Sequence, residues 1–412
     1  MKVAVWHNLP SGGGKRALYD HVKGLTARGH VVESWCPPTA DQEFLPMGDL
    51  VPEHIVPLEM FDRKGPRAWA RLRTAGSLTS ALLASSDQHS RACATAIEER
   101  GFDIVLAASS QLYAVTSLAR HLRLPSLLYH QEPARRLYEA QPRLPWVALD
   151  DHERFHLRAR LQDAFRVHAL RLQARSELEG VQAYDRVLCS SSFSRESMLR
   201  AYGIDAPVCY LGVDSERYQD LGRPRQRVVV GLSAFQPWKR IEVVIRAVAA
   251  MDRPLPALWW IGNAADPAYF EQMVRLAQQE EVDFTPHLAV SHAELVRLLN
   301  EAWVMAYAPR LEPFGYAPLE AAACGVPVVA VSEGGVRETV VNGVTGLLVD
   351  SERDLPRALQ QVVDDAALAR RLGQAGRRKA ETTWSLAAAT DRLEAHLFDL
   401  VGEASLARAT SR

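Results

Sequence analysis

Residues 2–36 read "KVAVWHNLPSGGGKRALYDHVKGLTARGHVVESWC", and their rhythm decides the fold class. "KVAVWH" is a short apolar strand, "KRALYDHVKGLTARG" has helical spacing and closes on Gly29, and "HVVESWC" is a second strand stopped by Pro37 and Pro38. Strand, helix and strand in so short a span form a βαβ unit, which demands a parallel sheet covered by helices. The alternation continues with the strands "FDIVLAAS" (102–109), "PSLLYH" (125–130) and "YDRVLCSS" (184–191). Residues 111–123, "QLYAVTSLARHLR", are expected as a helix between the first two of these, and another helix is expected from near Ser194.

The pattern restarts after residues 212–227, "GVDSERYQDLGRPRQR", a polar, charged stretch suited to a linker. Residues 228–248, "VVVGLSAFQPWKRIEVVIRAV", again give a strand, a loop ending in two cations, and a helix. "ALWWIG" (257–262), "WVMAYAP" (303–309) and "VPVVAV" (326–331) are further strands. The expected architecture is therefore α/β, with two Rossmann-like α/β/α domains facing across a cleft. The first covers 1–215 and the second 227–384, with a helix at about 385–405 packing back on the first.

Composition bounds the function. A chain of 412 residues with 48% hydrophobic content fills two cores rather than one. The formal net charge of −1 leaves no global basic field for nucleic acid. Five scattered cysteines without a CxxC pair fit free thiols in a reducing cytoplasm, and no apolar run is long enough to span a bilayer. The start "MKVAVW" is too soon followed by Pro10 and Gly12 to read as a signal peptide, so a cytoplasmic protein is expected. Two Arg-rich segments depart from the rhythm. "ARLQDAFRVHALRLQARSELEG" (159–180) reads as one solvated helix. "RKGPRAWARLR" (63–73) is either a solvated face or a patch that touches an anionic membrane surface or acceptor.

Phosphate loops can then be sorted. "LPSGGGKRA" fails as a P-loop, since Leu9 stands where a glycine is needed and Arg16 where a hydroxyl is needed. Gly12, Gly14 and Ala17 fit a dinucleotide fingerprint, with Glu33 as the ribose acid. Five residues separate Trp6 from Gly12, however, and Glu33 lies inside its strand, so NAD is a weak reading. What remains is a glycine turn whose N–H groups could approach an anion, or a tight turn with no ligand. Residues 308–349, "APRLEPFGYAPLEAAACGVPVVAVSEGGVRETVVNGVTGLLV", are more informative. Glu312 and Glu320 flank a strand-to-helix loop, an arrangement that suits a ligand with hydroxyls at both ends and a diphosphate between.

This E-x7-E block closely resembles that of the retaining glycosyltransferases of family 4, which have the GT-B fold. "LPSGGGKRALYDHVKGLTARGHVV", "YHQEPARRLYE", "YDRVLCSSSFSRE" and "PWKRIEVVIRAV" are similar to other segments of that family, so the likeness covers both domains. The resemblance implies transfer of a sugar from a nucleotide-diphosphate sugar, such as GDP-mannose or a UDP-sugar. The acceptor would be the hydroxyl of a glycan, lipid-linked or small molecule.

It assigns Lys239 to the donor diphosphate, with Arg240 beside it, and Glu320 to the ribose hydroxyls. Glu312, with Phe314, Gly315 and Tyr316, would hold the donor sugar, and His130 would line the cleft from the first domain. Gly12 and Gly13 would pack on the diphosphate or the acceptor. No D-x-D-like cluster stands at a strand end, so no metal or other cofactor is expected. Ala234 stands where the family usually carries an arginine, so either another cation substitutes or the diphosphate is held less tightly. That departure keeps open a non-catalytic sugar-nucleotide-binding partner subunit; the E-x7-E block argues against a sugar-nucleotide epimerase, and no pyridoxal-phosphate lysine motif supports a phosphorylase-like enzyme.

Overall fold

The computed structural model describes residues 1–59, 74–138 and 157–410. The basic segment 63–73 lies outside them. The chain divides into two compact units: residues 1–190, 195–209 and 390–412, and residues 191–194 and 210–389.

The first unit is a parallel sheet of β1 (Lys2–Asn8), β2 (Val31–Cys36), β3 (Glu53–Ile55), β4 (Ile104–Ser110), β5 (Ser126–Tyr129) and β6 (Arg186–Leu188), ordered β3-β2-β1-β4-β5-β6. The second repeats the plan with β7 (Val228–Leu232), β8 (Ala257–Gly262), β9 (Phe284–Leu288), β10 (Val304–Tyr307), β11 (Val328–Val331) and β12 (Gly346–Val349), ordered β12-β11-β10-β7-β8-β9. Both are the doubly wound order. The central strands are buried on both faces, which is why they read as unbroken apolar runs: Val3, Ala4 and Val5 on β1 and Val229 and Val230 on β7 are wholly buried. Each unit has its own core, one around Trp6, Trp35, Ile97 and Leu128, the other around Phe235, Ile245, Trp260 and Leu359.

Three strands escape the sequence reading. β3, β9 and β12 are all edge strands. β3 has only three residues, and β9 carries Pro286, which an edge tolerates because one side of its backbone is unpaired. The expected helix over 111–123 is replaced by turns and a single 3-10 turn at Leu118–His121. Polar side chains there capture the backbone: the Leu118 N–H donates to Thr116 Oγ1 and the Leu112 N–H to Ser110 Oγ, while Ser117 Oγ reaches Asp87 at 2.9 Å.

The polar stretch 212–227 is a strap rather than a loose linker. Arg225 donates to the carbonyls of Ala302 and Cys324 at 2.9 and 3.0 Å, and Asn300 binds Leu221 N–H and Gln219 O. The long segment 159–180 does fall within one helix, Leu157–Gln182. The helix Leu386–Thr410 carries Asp391 and Glu394, which pair with Arg28, and Glu394 also meets His30 at 2.6 Å. All five cysteines are free and buried.

Candidate functional site

In the second unit the chain lays down β7, β8 and β9 outward, then returns to place β10 on the other side of β7. Loops leaving the carboxyl ends of β7 and β10 therefore diverge, and the crevice between them is where doubly wound sheets bind ligands. The β7 loop ends in a 3-10 turn, Pro237–Lys239, and the β10 loop carries Glu312. Lys239 Nζ lies 2.6 Å from Glu312 Oε2, both side chains being partly exposed, so this ion pair spans the switch point.

Neighbouring groups fix the two loops. The Arg310 N–H donates to Trp238 O at 3.0 Å, joining one loop to the other, and the Gly335 N–H donates to Glu312 O at 2.8 Å. Gly334 has φ +69°, and a Cβ there would stand 2.4 Å from the Glu312 carbonyl oxygen, so only glycine lets the turn after β11 seat the Glu312 backbone. Arg240 adopts a left-handed backbone, φ 55° and ψ 47°, and buries its guanidinium against Glu333 at 3.2 Å and Glu352. Arg240 is thus committed to carboxylates of its own unit.

Gly315, with φ +95°, is the N-cap of the helix Tyr316–Ala323. Phe314 is buried, its ring 5.6 Å from Tyr316 and 5.8 Å from Trp384. Glu320, the fifth residue of that helix, is only 3% exposed and accepts the Tyr218 hydroxyl at 2.9 Å. Sequence reading misses Tyr218 because it sits in the stretch expected as a linker. It also assigns no role to Glu333 or Glu338, although both lie in "EGGVRETV" (333–340). Glu338 binds the N–H groups of Ser192 and Phe193 at 2.8 and 3.1 Å and the Tyr210 hydroxyl at 2.8 Å.

The first unit has its own switch point between β1 and β4, where the crossing hydrogen bonds among the described residues come from amides and hydroxyls. The Gln111 N–H donates to Asn8 O at 2.7 Å, Asn8 Nδ2 donates to Ser110 Oγ at 3.2 Å, and Thr39 Oγ1 donates to Asn8 Oδ1 at 3.0 Å. A cavity of about 160 Å³ opens beside it, lined by Asn8, Ser110, Tyr113, Asp87, Ser117 and Trp6 among others. Gly12 is the N-cap of the helix Gly13–Ala27, with φ +140°, and a Cβ at this position would meet nothing within 4 Å, so the loop leaves open space. Lys15 does not mirror Lys239: it is fully buried, and its Nζ donates to Asp41 O at 3.0 Å.

His130 differs from its expected place lining a cleft. It is wholly buried at the end of β5, with Nδ1 2.9 Å from Ser109 Oγ and Nε2 3.1 Å from the Tyr202 hydroxyl, which itself donates to Glu177. Burial pushes its pKa down to about 3, so the ring is neutral. Both nitrogens are occupied, which makes His130 a support for Ser109 rather than an accessible group. Glu33, the acid an NAD reading would need, is held by His54 at 2.6 Å and Arg100 at 2.8 Å.

Among the described residues, His7, Cys36 and Glu53 bring possible metal-ligand atoms within 4.8 Å of one another. Glu53 already meets His7 at 3.0 Å, burial pushes the Cys36 thiol up to about 12, and the Lys15 ammonium stands close enough to act on all three. A buried lysine there supplies the positive charge a metal would bring, so the cluster is balanced as a polar network.

A model of Glycosyltransferase Family 4 matches residues 11–217, and one of Glycosyl transferases group 1 matches residues 214–379. The chain belongs to glycosyltransferase family 4. It is 32% identical over 235 residues to the D-inositol 3-phosphate glycosyltransferase of Rhodococcus opacus (strain B4), covering 50% of this chain and 52% of that one. It is 32% identical over 226 residues to the GDP-mannose-dependent alpha-(1-6)-phosphatidylinositol monomannoside mannosyltransferase of Mycolicibacterium smegmatis, covering 48% and 58%. The chain thus spans a little over half the length of these two relatives.

Among solved structures, sucrose-phosphate synthase from Thermosynechococcus elongatus matches with a TM-score of 0.68 at 20% identity, over 97% of this chain and 99% of that one. Anabaena HepE in complex with UDP and glucose matches with a TM-score of 0.68 at 18% identity, over 97% and 100%. The fold is GT-B, of the α/β class expected from the sequence. No helix among the described residues is long and apolar enough to cross a membrane.

Proposed function

We propose that this family 4 member transfers a sugar from a nucleotide-diphosphate sugar to an acceptor hydroxyl, with retention of anomeric configuration and without a metal ion. The observation that carries the reading is the Lys239–Glu312 pair across the β7/β10 switch point. A cation there meets the diphosphate, whose growing negative charge is the main cost of breaking a sugar–phosphate bond. N–H groups at the start of the helix Tyr316–Ala323 add a favourable field. Glu312, released from Lys239 by the incoming phosphate, would accept sugar hydroxyls near the anomeric carbon, and Glu320 would take the ribose hydroxyls.

In a same-face mechanism, the bond from the anomeric carbon to the diphosphate oxygen breaks as the acceptor oxygen bonds to the same face. The acceptor proton passes to the departing diphosphate. The Asn8–Ser110–Gln111 crossing of the first unit, rich in hydroxyl and amide groups, suits an acceptor presenting hydroxyls. Gly12 and Gly13 would let the first loop come close to the diphosphate or the acceptor, and His130 would act by holding Ser109.

A phosphorylated inositol, a lipid-linked mannoside and a free sugar are candidate acceptors, the first two suggested by the relatives' names. Contact of residues 63–73 with anionic membrane belongs to the lipid-linked version. The test is a donor screen. GDP-mannose, UDP-glucose and UDP-N-acetylglucosamine are incubated with the protein, and thermal stabilisation and nucleotide release are read together. One base series should stabilise and turn over. Stabilisation without turnover across an acceptor panel would favour a non-catalytic binding subunit, and no stabilisation by any donor would reject the enzyme reading.

A further inference from the structure

His130 belongs to a hydrogen-bond chain with a fixed direction. The chain lies within the first unit and runs from Glu177 through Tyr202 and His130 to Ser109. Glu177 is 1% exposed, and its Oε1 accepts the Ala134 N–H at 3.2 Å. The carboxyl oxygen that takes a peptide N–H is the one that holds no proton, so Tyr202 donates its hydroxyl proton to it. Tyr202 then offers only a lone pair to His130 Nε2, 3.1 Å away, and Nε2 must carry the ring proton. In the neutral ring Nδ1 is bare, and it accepts the Ser109 hydroxyl proton at 2.9 Å.

Ser109 is thereby left unable to donate. Its proton is committed inward, and among the described residues no other hydrogen bond reaches its Oγ. It is partly exposed at the carboxyl end of β4, next to Ser110 of the Asn8 crossing. A ligand group at this place has to be a donor. A hydroxyl or an N–H fits, whereas a phosphate or carboxylate oxygen meets only lone pairs. The reacting hydroxyl of the acceptor gives its proton to the departing diphosphate, so the group that Ser109 takes is another one.

We infer that Ser109 reads a second, free hydroxyl of the acceptor, and that Glu177 and Tyr202 are positioning residues that set this preference through the His130 tautomer. The acceptor class is one that is unphosphorylated at that position. The inference rests on the transfer reading above.

Two measurements test it. Nitrogen NMR of the protein carrying isotopically labelled histidine reads the tautomer, the His130 signal being the one that moves in Ser109→Ala. At about pH 7 the proton should sit on Nε2. Acceptor kinetics then read the hydroxyl. The acceptor panel includes methyl α-D-mannopyranoside and myo-inositol, and the member that turns over best is compared with its monodeoxy and monodeoxyfluoro analogues. Fluorine occupies the place of a hydroxyl without donating. At one non-reacting position both replacements should lower kcat/KM by up to about tenfold, mainly through KM, as loss of one hydrogen bond does. In Ser109→Ala the hydroxyl, deoxy and fluoro forms at that position should react within about twofold of one another. A proton on Nδ1, a fluoro analogue that matches the hydroxyl at every position, or a Ser109→Ala variant that slows all analogues equally would overturn the inference and leave the transfer reading standing. No turnover by wild type across the panel with any donor would overturn both.

Discussion

The two units share one strand order and one switch point, yet they fill that point with opposite chemistry. The second unit spans β7 and β10 with an ammonium and a carboxylate 2.6 Å apart, surrounded by further guanidinium and carboxylate groups. The first spans β1 and β4 with amides and hydroxyls, and sends Lys15, in the first turn of the helix after β1, into the interior. Topology alone therefore positions a crevice, while the loop residues decide whether it suits a phosphate or a hydroxyl. The glycines differ in the same sense. Gly12 faces open space, whereas Gly334 lies against the Glu312 backbone.

The comparison breaks first at the charged crossing. Lys239→Ala or Glu312→Ala should lower the rate of transfer about 10²–10³-fold, the usual cost of removing one group aimed at developing charge. Asn8→Ala should instead act mainly on acceptor KM. Steady-state kinetics with a donor from the screen separates the two, and an Asn8→Ala enzyme with the kinetic profile of Lys239→Ala would erase the division of roles.

Next come the glycines. Gly334→Ala combines a left-handed backbone with a Cβ 2.4 Å from Glu312 O, so it should cost more than the roughly 1–2 kcal/mol of the backbone strain alone. Gly12→Ala meets strain but no neighbour and should be the milder of the pair in thermal unfolding.

Acid should weaken the first unit through His21. This ring is fully buried against Tyr129, no hydrogen bond from the described residues reaches either nitrogen, and burial pushes its pKa down to about 4. The unfolded chain takes up the proton near the ordinary histidine value, so this contribution is intact above about pH 6.5 and is lost as pH falls toward 4, at about 1.4 kcal/mol per pH unit. Denaturant unfolding at about pH 7, 6 and 5 should show His21→Leu with a shallower acid slope than wild type. Equal slopes would move the acid sensitivity elsewhere.

Much of this was legible in the sequence, and the reasons are physical. Doubly buried strands such as β1 and β7 leave continuous apolar runs, and the helix starting at Gly13 was announced by its glycines. Edge strands β3, β9 and β12 bury less and leave no such run. The residues around Glu312 and Lys239 were legible because the E-x7-E spacing and the basic loop are local. Tyr218 was not, since its contact with Glu320 is made across 102 residues. His130 was legible as a position but not as an environment, because burial behind Ser109 and Tyr202 is a property of packing.

The finest test uses a matched pair of tyrosines. In each unit a tyrosine hydroxyl holds a candidate site residue: Tyr218 donates to Glu320, and Tyr202 meets His130 Nε2. If Glu320 binds ribose, Tyr218→Phe loosens a group that touches nucleotide, and UDP or GDP affinity should fall by about 0.5–1.5 kcal/mol, the net worth of one hydrogen bond. Tyr202→Phe strips a partner from both His130 and buried Glu177, so its cost should appear in stability while nucleotide affinity stays near wild type. Calorimetry and thermal unfolding on both variants read the two axes independently. Weakened nucleotide binding in Tyr202→Phe without a loss of stability would place His130 at the donor after all, and would move part of the phosphate chemistry into the unit whose crossing hydrogen bonds come from amides and hydroxyls.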